Sequence, residues 1–128
     1  MTAPVDDRDV AAVAALALRR DGLAGTDHVL TGAEPLTQAA QVAAIGAALG
    51  RRIAYEELTP EAFRTLWEVE GAGPVADMLL AAWGAAGGRP AFVSTAVADL
   101  LGRAPRTLHQ WAADHAAAFT GEPDASAA

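Results

Sequence analysis

The segment His28-Val29-Leu30-Thr31-Gly32-Ala33-Glu34-Pro35-Leu36-Thr37 decides how this chain is read. His28–Thr31, flanked by Gly25 and Gly32, reads as a short strand. Gly32-Ala33-Glu34-Pro35 reads as a turn. Thr37 then suits the N-cap of a helix running to Leu49, with Gly50 just past its end. Strand, turn and helix in direct succession point to a helix-rich α/β chain.

The pattern continues in both directions. Upstream, Asp6, Asp7 and Asp9 precede Val10, Val13, Ala14 and Ala17, an acidic start followed by one apolar helical face. That helix is expected from Asp7 to Arg20. Downstream, Ile53–Leu58 lies between two helix signals and reads as a second strand. Thr59-Pro60-Glu61 starts a helix carrying Phe63, Leu66 and Trp67. Gly71-Ala72-Gly73 breaks it, and Pro74 opens another with Val75, Met78, Leu79 and Trp83. Ser94 or Thr95 caps a short helix. Thr107 and Gln110 form a capping-box pair for a last helix to about Phe119. The order predicts one domain over 1–119 and a disordered small-residue tail at 120–128.

Composition narrows the chemistry. The 128 residues carry 34 alanines, no lysine, no asparagine and no cysteine, with arginine supplying every basic side chain. Lysine Schiff bases, phosphate-loop lysines, disulfides and thiolate sites are therefore excluded. Leu, Ile, Val and Phe number only 27, which predicts a thin core and a reliance on partners. A net charge of −7 argues against nucleic acid, whose binding needs a cationic surface. No apolar run is long enough for a membrane span, and no signal-peptide pattern opens the chain, so a cytoplasmic location is expected.

Local constellations assign no catalytic or metal residue. Asp6, Asp7 and Asp9 lack calcium-loop spacing and read as a solvated helix N-terminus. His28, His109 and His115 match no zinc spacing. Ser94 lacks a nucleophile motif and reads as a cap. Gly71-Ala72-Gly73 lacks the third glycine and preceding strand of a phosphate turn and reads as a linker. Phe63, Trp67, Met78, Trp83 and Phe92 concentrate bulk in an alanine-rich chain. They are either the core or the lining of an apolar substrate pocket.

Five segments, in order, resemble one family. Asp6-Asp7-Arg8-Asp9-Val10-Ala11 is similar to the "D-x-R-D-V-A" element of NmrA-like, atypical short-chain dehydrogenase proteins. His28–Thr37 is similar to their "Y-x-L-T-G-P-E-x-L-T", Leu49–Tyr55 to "L-G-R-P-V-x-Y", and Pro60–Phe63 to "P-E-E-F". Gly102–Leu108 and Trp111–Ala116 resemble the closing "G-R-x-P-R-[ST]-F-x-x-W-A-x-x-H". The likeness covers about residues 5–119 and concerns the C-terminal, substrate-side portion. It implies a partial Rossmann-type edge of two or three short strands with about six helices. It also implies NADP or NAD in full-length relatives, but no cofactor for this chain alone, which has neither the glycine fingerprint nor a lysine for a Tyr–Lys pair. The implied role is the substrate-binding portion of an oxidoreductase or redox-sensing regulator, inactive by itself. Whether the chain is an enzyme stays open. The expected partners are a second copy or a separate Rossmann half, or else a small apolar ligand.

Overall fold

A computed structural model describes residues 1–120. Among these, seven helices account for the regular structure: α1 (Asp7–Arg19), α2 (Gln38–Ala48), α3 (Pro60–Val69), α4 (Gly73–Ala86), α5 (Ala96–Leu101), α6 (Leu108–Asp114) and α7 (Ala116–Thr120). The tail expected at 120–128 lies outside the described residues, except that Thr120 closes α7.

The helix starts follow from their caps. Asp6, Thr37, Thr59 and Thr107 each accept a hydrogen bond from a backbone N–H in the first turn of α1, α2, α3 and α6. Gln110 completes the capping box of α6. Gly71, at φ 72°, lets the end of α3 fold back: its N–H reaches the Glu68 carbonyl and the Ala72 N–H reaches that of Trp67. The chain therefore passes from α3 to α4 in a tight helical hairpin, clamped by Arg64 Nε and Asp77 Oδ1 at 2.7 Å. Elsewhere α2 packs on α6, and α1 on α5.

The expected α/β class, with a Rossmann-type edge of two or three strands, is corrected: the described residues form no strand and no sheet. A strand persists only where a neighbouring extended chain satisfies its backbone groups. Residues 28–30 and 53–58 make no backbone–backbone hydrogen bond. What pairing exists is one isolated antiparallel bridge between Thr2 and Leu36, whose N–H groups and carbonyls bond reciprocally at 2.9 and 2.7 Å. Nearby, Gly32 N–H donates to the Ala3 carbonyl at 3.1 Å. Residues 31–36 are thus tied to the N-terminal segment instead of entering a sheet.

The core is as thin as the alanine content implies. Val13, Ala76, Val97 and Ala112 are its buried apolar residues, and the largest fully buried side chains are Val97 and Asp9. Gly84 offers a way to stabilise such a chain. It sits inside α4 with open space where a Cβ would stand. Gly84→Ala is expected to raise stability by about 0.5–1 kcal/mol, because alanine has less backbone freedom to lose on folding. A urea titration followed by circular dichroism measures it.

Candidate functional site

Sequence reasoning gathered five bulky residues, and the α3–α4 hairpin joins three of them. Phe63 and Trp67 lie one turn apart on α3, with ring centroids 5.5 Å apart. The hairpin brings Trp83 of α4 edge-on to Phe63, also at 5.5 Å. Met78 and Phe92 stand outside this ring cluster and are 62% and 71% exposed. On the same two helices, Leu66 and Val69 of α3 are 57% and 84% exposed, and Val75 of α4 is exposed too. The hairpin therefore presents an apolar, aromatic face. Chemically, that face can bind and dehydrate an apolar molecule.

The strongest electrostatic feature lies elsewhere, and local reading missed it. Asp6 and Asp9 are not solvated: Asp9 is fully buried and Asp6 is 4% exposed. Asp9 Oδ1 accepts from Arg103 Nη2 at 2.6 Å, and Oδ2 from the Arg106 backbone N–H at 2.7 Å. Asp6 Oδ1 caps α1 through the Arg8 N–H at 2.8 Å, while Oδ2 accepts from Arg106 Nε at 2.7 Å. Asp114 completes the group by pairing with both Arg8 and Arg106. The network locks the start of α1 onto the loop between α5 and α6. The signal for it was in the sequence: acids three apart on the first turn of α1, and arginines three apart at 103 and 106.

The charge state of Asp6 follows from this setting. Burial opposes its ionisation. The Arg106 hydrogen bond, the Arg8 N–H and the Arg106 charge outweigh burial and hold the carboxyl below its ordinary value. A depressed folded-state value stabilises the fold above the unfolded value, near pH 4. That contribution disappears as pH falls through the lower, folded value. Asp6→Asn is therefore expected to flatten the loss of stability between about pH 5 and pH 3. Urea midpoints measured across that range test it.

Beside the network lies a cavity of about 280 Å³, lined by Pro4, Val5, Asp6, Asp7, Thr107, Leu108 and Trp111. Trp111 is held in place by stacking on His115, at 4.5 Å, and by the edge of Phe119. His115 Nδ1 lies 2.8 Å from the Trp111 carbonyl oxygen. A carbonyl only accepts, so Nδ1 carries the proton and donates. A second, more open cavity of about 380 Å³ lies at the C-terminal end of α2, beside Arg51 and Arg52.

Gly71 and Gly73 do not form a dinucleotide's pyrophosphate turn. A pyrophosphate turn runs from strand to helix, whereas Gly71 follows helix α3 and Gly73 opens α4. The Glu68 Cγ also lies 3.4 Å from where a Cβ on Gly73 would stand, bringing an acidic side chain close to that turn. Among the described residues no group of three His, Asp or Glu side chains is placed to hold a metal ion, and no helix is long and apolar enough to cross a membrane.

No protein-family model matches the chain. Two curated proteins are similar to it. One is the (4-alkanoyl-5-oxo-2,5-dihydrofuran-3-yl)methyl phosphate reductase of Streptomyces griseus subsp. griseus, 40% identical over 119 residues, covering 92% of this chain and 42% of that protein. The other is the uncharacterized oxidoreductase YesF of Bacillus subtilis, 33% identical over 120 residues, covering 91% of this chain and 41% of that protein. The chain thus spans about two-fifths of the length of these relatives, and both carry oxidoreductase names.

Proposed function

We propose that this chain is the substrate-binding portion of an NAD(P)-dependent oxidoreductase of the NmrA-like type, completed by a Rossmann part that binds the cofactor. The observation that carries this reading is 40% identity to a named reductase across 119 residues. The five ordered motifs support it, as does the apolar face of the α3–α4 hairpin. In this reading Phe63, Trp67 and Trp83 form one wall of the substrate pocket, and Met78 and Phe92 join it when the Rossmann part closes over them. Their role is to hold the apolar body of the substrate and exclude water near the reacting carbon. The reductase relative is named for a substrate with an alkanoyl chain, and such a chain suits this wall.

The test is a chimera in which this chain replaces the matching residues of the Streptomyces griseus reductase. Supplied with a nicotinamide cofactor, it is expected to retain reduction of the phosphate for which that reductase is named. Trp67→Ala within it is expected to raise KM more than it lowers kcat, as loss of uniform substrate binding does. A chimera that folds and binds NADPH but transfers no hydride counts against the reading. The exposed Leu66, Val69 and Met78 favour one alternative, a homodimer through the same face. Sedimentation that stays monomeric at high micromolar concentration would remove that alternative.

A further inference from the structure

The Trp111 cavity is separate from the α3–α4 face, and nothing in the reading above uses it. Its walls come from opposite ends of the chain: Pro4 and Val5 from the extended N-terminal segment, Leu108 and Trp111 from α6. The Asp6–Arg106 pair, at 2.7 Å, fastens these two walls together. The cavity is therefore held by an ion pair, and its aromatic wall is held by His115 and Phe119. Concave apolar walls with a fixed aromatic ring are the usual makings of a small-molecule site.

Charge decides the ligand class. Asp6 and Asp7 are among the lining residues, and no arginine pairs with Asp7 among the described residues, so an anion meets repulsion. The N-terminus of α1 begins at the same place, and its dipole offsets the pull of Asp7 on a cation. Thr107 is already engaged with Gln110. What remains favourable is contact with apolar surface. A cavity of about 150 Å³ accommodates benzene, so about 280 Å³ has room for two fused rings. We propose that this cavity is a second binding site, for an uncharged, flat, apolar molecule of one or two rings resting against Trp111.

The experiment uses 2-naphthol as the probe and the indole N–H signals of the three tryptophans in the nitrogen-15-labelled full chain, assigned with tryptophan-to-phenylalanine variants. The expected result is a saturable shift of the Trp111 signal, with Trp67 and Trp83 unmoved. The anion 2-naphthoate and the cation 2-naphthylmethylammonium are each expected to bind roughly threefold or more weakly, because apolar walls leave either charge desolvated and unpaired. Val5→Trp, which fills the cavity, is expected to abolish the shift. Should that variant fail to fold, an intermolecular Overhauser contact between naphthol and the Trp111 ring in the unaltered chain supplies the same information. Three results would overturn the proposal: no Trp111 shift up to millimolar naphthol, a shift confined to Trp67 and Trp83, or equal binding of the naphthoate. A Trp111 cavity already closed by self-association would give the first of these. Failure here leaves the chimera experiment untouched, since that one reads hydride transfer.

Discussion

Asp9→Ala is expected to cost about 3 kcal/mol of stability, enough to lower the urea midpoint by roughly 2 M. Asp9 is one of the two largest fully buried side chains, and both of its oxygens are engaged. Removing the carboxylate strips the Arg106 backbone N–H of its acceptor and leaves Arg103 without its partner. Arg103 is 45% exposed and can turn toward water, which holds the expected cost near the lower end for a broken buried pair. Small domains are typically stable by only about 5–15 kcal/mol, and a core whose buried apolar residues are valines and alanines sits toward the low side. Asp9→Asn is no remedy. Its amide turns one acceptor into a donor, facing either the Arg106 N–H or the Arg103 guanidinium. Asp27→Ala, at an exposed loop position, is expected to stay within about 0.5 kcal/mol of the parent. A parent-like midpoint for Asp9→Ala would mean that the junction contributes little.

Gly32→Ala is expected to be comparably damaging for a different reason. A Cβ there would lie 2.1 Å from the Pro4 carbonyl oxygen and 3.0 Å from its carbon. Those atoms are backbone, so no side chain can swing away. Relief requires separating residues 31–36 from residues 2–4, which sacrifices the Gly32–Ala3 bond and the reciprocal Thr2–Leu36 pair. Thr31 is caught in the same place, since its hydroxyl accepts the Ser94 N–H at 2.9 Å. Overpacking costs about 1–3 kcal/mol, and each lost hydrogen bond adds about 1 kcal/mol. A total of about 3 kcal/mol or more follows. Because the displaced segment leads directly into Asp6, the cavity beside Trp111 should open as well. Comparison with Gly84→Ala, whose added methyl meets nothing within 4 Å, separates steric clash from the general effect of losing a glycine.

Both residues show where sequence reading succeeds and where it stops. Capping is local, so Thr59-Pro60-Glu61 and the Thr107–Gln110 pair announced α3 and α6 without help from the rest of the chain. Strand formation is not local. His28–Thr31 and Ile53–Leu58 have suitable residues, yet nothing in either segment supplies the neighbour that would complete a ladder. The burial of Asp6 and Asp9 is hidden for the same reason: their arginine partners lie 100 and 94 residues away, respectively. The acidic helix start was legible, but its burial was not. In the aromatic cluster, the four-residue spacing of Phe63 and Trp67 already placed them on one face. Trp83 joined them through the Gly71 turn, while Met78 and Phe92 were linked by composition alone. The Trp111 cavity had no local signature, because half its wall is an extended segment from the other end of the chain.

In the proposed reading this chain supplies a substrate-binding surface and receives its nicotinamide cofactor from another part of the protein. Calorimetric titration of NADPH into the isolated chain tests this most directly. The account predicts no saturable heat through the millimolar range. A sub-millimolar dissociation constant with one-to-one stoichiometry would contradict it.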